Sequence, residues 1–311
     1  MLIAIVGPGA MGILFSSLLS QNPDHQIWLV DIHPERAAKV RAEGLFVEGV
    51  SGEHHLRPRI TLQPAEIGPV DLVILCVKGP DTYAASLSAR PLLGPDTPVL
   101  TLQNGMGNLE EIERALGPQR TLGGTTAMGA TVLGLNRIRH AGWGETVIGE
   151  PSGFRSARLE RVVAFFQGCG VEISSTPNLP GLLWSKLIIN AGINPLTALT
   201  RLHNGELPRH AGTRAVMEAA VGEAAQVASA LGIQLLYDRP VDKVVGVCEA
   251  TAANVSSMLQ DVLQEKNTEI NQISGVVVRE GARVCVPTPV NAALLHLVRT
   301  LEESYTLKIR G

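Results

Sequence analysis

Three polar residues, Lys186, Asn190 and Asn194, recur at a step of four inside the otherwise apolar stretch WSKLIINAGINPLTAL, residues 184–199. Residues four apart on an α-helix share a face, so these side chains form one short stripe. The remaining positions, among them Leu187, Ile188, Ile189, Ile193 and Leu196, suit a core. A buried amine or amide is costly without a partner, so the stripe faces either solvent or a site. At a site, an ammonium group beside a carbonyl can stabilise a developing alkoxide and deliver the proton. Lysine suits this task because its pKa moves readily on desolvation. Asparagine amides can bind a hydroxyl as donor or acceptor without adding charge. Ala191 and Gly192 are small and leave room for a ligand or a neighbouring helix, and Pro195 is expected to bend or end the helix.

A second constellation lies at the start of the chain. Gly7, Gly9 and Gly12 form G-x-G-x-x-G after an apolar strand and at the opening of a helix. In that context the glycines allow a tight turn, close backbone approach to a pyrophosphate, and close helix–strand packing. The helix N-terminus presents its positive dipole end to the phosphates. Ala10 and Met11, between the last two glycines, are expected to contact the coenzyme with them. Asp31 ends the second strand, where an acid can accept hydrogen bonds from the adenosine ribose and favour NAD. It can equally cap the turn before a helix starting at Pro34, with Arg36 close behind as a partial offset. Lys78 and Asn104 end two further apolar strands. Ligands in such sheets sit beyond the carboxyl ends of the strands, so both are candidate contacts to coenzyme or substrate.

The elements that must position these residues are legible from periodicity. LIAIVG, QIWLVDI, VDLVILCVK and PVLTLQNG read as buried strands, with helices AMGILFSSLLSQ and PERAAKVRAEG among them. Apolar strands separated by helices predict a parallel sheet covered on both faces. RIRHAGWGETVIGEP reads as a hairpin-like pair and GVEISSTP as the last strand. From Leu179 onward every strong pattern is helical, including SSMLQDVLQEKNTEINQISGVVVREGARVC and NAALLHLVRTLEESYTL. Pro177 and Pro180 bracket the expected linker, which divides the chain into residues 1–177 and 178–311.

Composition narrows the function classes. A chain of 311 residues is long enough for two domains. The formal net charge of -3 offers no basic surface for nucleic acid. No run is long and apolar enough for a membrane span, and MLIAIVGPGAMG leads into a strand without the features of a signal peptide. Cys76, Cys169, Cys248 and Cys285 form no C-x-x-C pair, so no metal site is expected and a reducing cytoplasm suits them.

These motifs together resemble the 2-dehydropantoate 2-reductases, or ketopantoate reductases, nearly end to end. The family's G-x-G-x-x-G, strand-end V-K and N-G-M-G turn are met by Gly7 to Gly12, by Val77 and Lys78, and by Asn104 to Gly107. Its W-x-K-L-x-x-N-x-x-x-N-P-L-T-A motif is met by Trp184 to Ala198, and N-G-E-L by Asn204 to Leu207. S-S-M-L-Q-D is met from Ser256 to Asp261, T-E-I from Thr268 to Ile270, and P-T-P-x-N from Pro287 to Asn291.

The resemblance implies a Rossmann-type domain followed by an all-α domain like the C-terminal domain of 6-phosphogluconate dehydrogenase. It implies reduction of ketopantoate to (R)-pantoate with NADPH, in a homodimer. Lys186 becomes the general acid and Glu269 assists at the reacting oxygen. Asn104, Asn190, Asn194, Asn204 and Ser257 become substrate contacts. Asp31 departs from the basic residue common at that strand end, which leaves NADH open as coenzyme. The alternatives are a reductase of another 2-oxo acid and a nucleotide-binding sensor without turnover; the presence of both Lys186 and Glu269 counts against the sensor. Ser257 and Glu269 are twelve residues apart. On one regular helix their directions would differ by about 120°, so the helix must be irregular or the ligand must lie along it.

Overall fold

The computed structural model describes residues 1–307. Positions 308–311, the end of the expected helical domain, lie outside the described residues. In chain order the first half contains β1 (Leu2–Val6), α1 (Ala10–Leu19), β2 (Gln26–Val30), α2 (Pro34–Glu43), β3 (Leu45–Gly49), β4 (His54–Leu56), β5 (Arg59–Thr61) and β6 (Leu72–Leu75). It continues with α3 (Thr82–Ser88), β7 (Val99–Thr101), α4 (Asn108–Leu116), β8 (Thr121–Thr126), β9 (Gly129–Gly134), β10 (Arg137–Gly142), β11 (Thr146–Gly149), α5 (Ala157–Gly168) and β12 (Ile173–Ser175). The helical half contains α6 (Leu179–Thr200), α7 (Ala211–Ala230), α8 (Pro240–Ala250), α9 (Ser257–Leu263), α10 (Ser274–Arg283) and α11 (Pro289–Glu303).

Side-chain alternation along the strands builds a core on each face of the main sheet. Ile3 and Ile5 of β1, with Leu72 and Ile74 of β6, join the cluster that holds Ile13 and Leu14 of α1 and Phe166 of α5. Their neighbours Ala4, Val6, Val73 and Leu75 join the opposite cluster, with Ile112 of α4. The strand order is β12-β11-β8-β7-β6-β1-β2-β5. From β5 through β8 all neighbouring strands are parallel. The order reverses at β1, between β2 and β6, which is where such sheets open a crevice for ligands.

The expected pairing of residues 137–151 is wrong. β10 pairs antiparallel with β9 and parallel with β3 in a separate sheet of order β4-β3-β10-β9. β11 instead joins the main sheet, antiparallel to β8 and parallel to β12. The cause is non-local: β3 lies about ninety residues before β10, and no local turn signal reports such a partner.

Two compact units result. One comprises Met1–Gln103 with Asn108–Leu179, and the other comprises Asn104–Gly107 with the chain from Pro180 onward. Pro180 lies inside the first turn of α6 rather than in a linker, a position where its missing N–H costs nothing. Pro195 does not end α6, which runs on to Thr200. The turn beyond it is held by burial of Leu196 and Ala198 in the helical core with Trp184, Leu187, Met217 and Val221. The segment of helical periodicity from Ser256 to Cys285 is two helices, α9 and α10, joined by a non-helical stretch and a short 3-10 turn, Ile270–Gln272. Its polar run of residues 264–267 has no apolar face to bury, and Glu265 takes a left-handed φ of 52°.

Candidate active site

The glycine turn is built as its spacing predicts. Gly7 has φ 89°, a conformation that L side chains rarely adopt. A Cβ on Gly12 would stand 2.4 Å from the Gly7 carbonyl oxygen, so the helix meets the strand with no space to spare. Gly9, the N-cap of α1, is different: a Cβ there meets nothing within 4 Å. No side chain caps this helix end. The N–H groups of Ala10, Met11 and Gly12 belong to the first turn and have no intrahelical acceptor. An open backbone cradle with outward N–H donors suits a pyrophosphate.

Asp31, Lys78 and Asn104 follow the carboxyl ends of β2, β6 and β7. Asp31 is buried, and its Oδ1 accepts from the backbone N–H groups of Ile32 and His33 and from Arg36 Nη2. Its Oδ2 accepts from Arg36 Nε. Burial alone would raise the Asp31 pKa, but the Arg36 bonds and the His33 and Ile32 N–H groups outweigh it and hold the pKa below 3.8. Lys78 is exposed and starts a short 3-10 turn. Beneath it lies a network that inspection of the sequence missed. Gln103 Nε2 donates to the Val77 carbonyl at 2.7 Å and to Thr82 Oγ1 at 2.9 Å, and Thr82 Oγ1 donates to Asn108 Oδ1. Gln103, the residue before Asn104, thus ties its own strand end to the Val77–Lys78 strand end and to the start of α3. Its position beside the N-G-M-G turn was the available signal.

The helical unit gathers the other candidates. Lys186, Asn190 and Asn194 lie on α6, with Lys186 and Asn190 partly exposed and Asn194 buried. Burial lowers the Lys186 pKa from 10.5 to about 8, and the negative charge of Glu269 opposes the fall. Glu269 is therefore within electrostatic reach of Lys186. It is not a solvated helix charge: it precedes the 3-10 turn with φ -96° and ψ 24°, between buried Thr268 and Ile270. Thr268 is pinned through its N–H to Glu302 and accepts from the Ile270 N–H. The Asn104–Gly107 segment docks on this same turn. Met106 N–H donates to the Gln272 carbonyl at 3.0 Å, and a Cβ on Gly105 would stand 2.5 Å from Gln272 Cβ. Tertiary packing thus brings Asn104 and Glu269, 165 positions apart in the chain, to one turn.

Two pins fix α6 and α9, and neither was anticipated. Tyr237 O–H donates to the carbonyl of Ser185, the residue before Lys186, at 2.6 Å, and Leu236 N–H donates to Ser185 Oγ. Ser256 Oγ lies 2.6 Å from Thr197 Oγ1, whose own proton goes to the Asn194 carbonyl. Ser256 also caps α9 by accepting from Leu259 N–H, which places exposed Ser257 at the first position of that helix. Ser256→Ala is expected to lower stability by about 1 kcal/mol through the lost cap. It is also expected to raise KM for the substrate more than it lowers kcat. Thermal melts and steady-state kinetics check this, and an unchanged KM would exclude the pin from the site's support.

The side-chain amides of Asn204 and Asn291 both donate hydrogen bonds to neighbouring elements. Asn204 Nδ2 donates to Thr251 Oγ1 at 3.0 Å, and its backbone N–H donates to the Asn254 carbonyl. Asn291 Nδ2 donates to Glu223 and to the Ala220 carbonyl, tying α11 to α7. The P-T-P-x-N motif therefore serves helix packing.

A doubly wound sheet with a glycine turn at its switch point, followed by a helical unit carrying a lysine of lowered pKa beside a carboxylate, defines a Rossmann-type oxidoreductase. Residues 3–153 match the family Ketopantoate reductase PanE/ApbA, and residues 178–302 match Ketopantoate reductase PanE/ApbA C terminal. The chain belongs to the ketopantoate reductase family. It is 35% identical over 301 residues to the 2-dehydropantoate 2-reductase of Halobacterium salinarum, covering 96% of this chain and 98% of that one. It is 33% identical to the Vibrio cholerae 2-dehydropantoate 2-reductase, covering 98% and 99%. A PanE/ApbA family ketopantoate reductase from Ralstonia eutropha superposes with a TM-score of 0.90 at 32% identity, over 98% of this chain and 99% of that one. D-mandelate dehydrogenase, solved with NADH and anilino(oxo)acetate, superposes with a TM-score of 0.91 at 27% identity, over 99% and 100%.

Proposed function

We propose that the chain reduces 2-dehydropantoate to (R)-pantoate, a step toward pantothenate and coenzyme A, with a nicotinamide dinucleotide as co-substrate. The observation that carries the reading is Lys186: burial lowers its pKa to about 8 within reach of Glu269, and it shares a helix face with Asn190 and Asn194. When bound, the reduced nicotinamide supplies the hydride to the keto carbon. The Lys186 ammonium donates its proton to the carbonyl oxygen as negative charge collects there, leaving a neutral amine. A pKa near the working pH makes both halves of that exchange accessible. Glu269 keeps the ammonium charged in a site that would otherwise neutralise it.

Asn104, Asn190, Asn194 and Ser257 are proposed to bind the polar groups of the 2-oxo acid. Asn204 is proposed to join them through its amide oxygen, while its Nδ2 donates to Thr251 and its backbone N–H to the Asn254 carbonyl, which shapes residues 251–254 ahead of Ser256 and Ser257. Gly7, Gly9, Ala10, Met11, Gly12 and Lys78 form the proposed coenzyme contacts, within a domain of residues 1–177, and residues 178–311 form the substrate domain. NADPH is the proposed coenzyme, and the proposed assembly is a homodimer, checked by its sedimentation mass. No helix among the described residues is long and apolar enough to cross a membrane. All four cysteines are free thiols, which supports placing the protein in the reducing cytoplasm.

The deciding experiment is the initial rate of coenzyme oxidation with ketopantoate, run with NADPH and with NADH against a panel of 2-oxo acids. Ketopantoate is expected to give the highest kcat/KM, and NADPH to exceed NADH. A panel winner without a hydroxyl group would overturn the substrate assignment.

A further inference from the structure

The acid at the end of β2 is engaged by protein partners on both of its oxygens. The Asp31 side chain is 1% exposed and that of Arg36 is 19% exposed. Oδ1 of Asp31 already accepts from two backbone N–H groups and from Arg36 Nη2, and Oδ2 accepts from Arg36 Nε. A carboxylate so committed has little capacity left for a pair of ribose hydroxyls. Its partner differs. The guanidinium presents one edge, Nε and Nη2, to Asp31. The Nη1 hydrogens and the second Nη2 hydrogen point away from that edge by the planar geometry of the group. Arg36 sits in the first turn of α2, directly after the β2 end.

We infer that Arg36 is the coenzyme-selecting residue, recognising the 2′-phosphate of the dinucleotide through the guanidinium edge that faces away from Asp31, and that Asp31 is the positioning residue that holds that edge in place. This rests on the reading of the glycine turn as the coenzyme site. It reverses what an acid at this position signals in sequence. A free Asp31 would repel a 2′-phosphate and accept the ribose hydroxyls. A buried Asp31 bonded along the inner edge of Arg36 instead fixes an arginine whose side chain would otherwise be mobile. Ordering the guanidinium in advance reduces the entropy lost on binding phosphate.

The test uses adenosine 2′,5′-bisphosphate and adenosine 5′-diphosphate as probes, titrated by calorimetry into the full-length protein without any 2-oxo acid. The wild-type chain is expected to bind the 2′-phosphorylated probe roughly ten- to a hundred-fold more tightly, the range of one or two charge-assisted hydrogen bonds. Arg36→Ala should abolish that preference and leave the 5′-diphosphate affinity within about two-fold, because the pyrophosphate cradle is untouched. Because Arg36→Ala leaves the Asp31 carboxylate buried without its partner, the double variant Asp31→Ser, Arg36→Ala is measured beside it and should show the same loss. Asp31→Ser alone should weaken the preference partly while leaving it in place. Equal binding of the two probes by the wild type, or a preference surviving in either folded variant lacking Arg36, overturns the assignment. Because no 2-oxo acid is present, failure of the ketopantoate reading would leave these affinities as they are, and the two failures are separable.

Discussion

Lys186→Met should reduce turnover by roughly a hundred- to ten-thousand-fold, the usual contribution of a positioned general acid. Coenzyme affinity should stay nearly unchanged. The same substitution should make the fold more stable. The folded pKa of Lys186, about 8, lies below the unfolded value of 10.5. Between those values the unfolded chain holds the proton and the folded chain does not, so wild-type stability rises with pH across that window. Below about pH 8 the folded protein bears the full cost of keeping an ammonium largely out of water. Methionine fills similar volume without charge, so the variant should be more stable at pH 7 by about 1–3 kcal/mol, a discounted reading of the pKa shift. That advantage should shrink as pH rises past about 8 and vanish above 10.5. Denaturant titrations at pH 7 and pH 10 measure it. In the wild type, kcat/KM for reduction should fall as pH rises through about 8, because the acid form disappears. A variant that still turns over normally would remove Lys186 from the chemistry. A variant less stable at pH 7 would mean that the lysine's partners outweigh its burial.

The glycine turn offers the second large effect, and it separates binding from folding. Gly9→Ala should weaken coenzyme binding by roughly ten- to a hundred-fold, as for losing one charge-assisted phosphate contact, with stability changed by less than about 0.5 kcal/mol. The reason is geometric. A Cβ on Gly9 meets nothing within 4 Å in the protein, and the residue has φ -78°, open to any L residue. The added methyl enters only the open space proposed for the pyrophosphate. Gly12→Ala should do the reverse and destabilise the fold by about 1–3 kcal/mol or more, because its Cβ would stand 2.4 Å from a backbone oxygen. Thermal melts and coenzyme titrations on both variants check the contrast. Equal destabilisation by the two would mean that Gly9 also packs.

Much of the site was legible because it is local. The four-residue step of Lys186, Asn190 and Asn194 needs only helical geometry to become a stripe, and α6 supplies it over Leu179–Thr200. The glycine spacing needs only a strand before it and a helix after it, and β1 and α1 supply them. The misreadings share a cause. Residues 137–151 carry two strand patterns, but nothing near them reports that β10 will pair with β3. The helical pattern from Ser256 to Cys285 is strong at both ends and masked a polar middle where the chain leaves the helix.

Sequence periodicity and spacing by themselves determined the doubly wound sheet, the helical second half, the glycine turn and the face of α6 that carries the lysine. These follow from interactions within a few residues, which the order of side chains encodes directly. Only the tertiary structure decided the properties that turn those residues into a site. It set Glu269 within reach of Lys186 and lowered the lysine's pKa to about 8. It docked Gly105 and Met106, next to Asn104, on the turn at Gln272. It buried Asp31 against Arg36, so that an acid in the sequence became an arginine edge in the fold. Charge state and exposure depend on what is packed alongside from distant parts of the chain, and no local pattern carries that information.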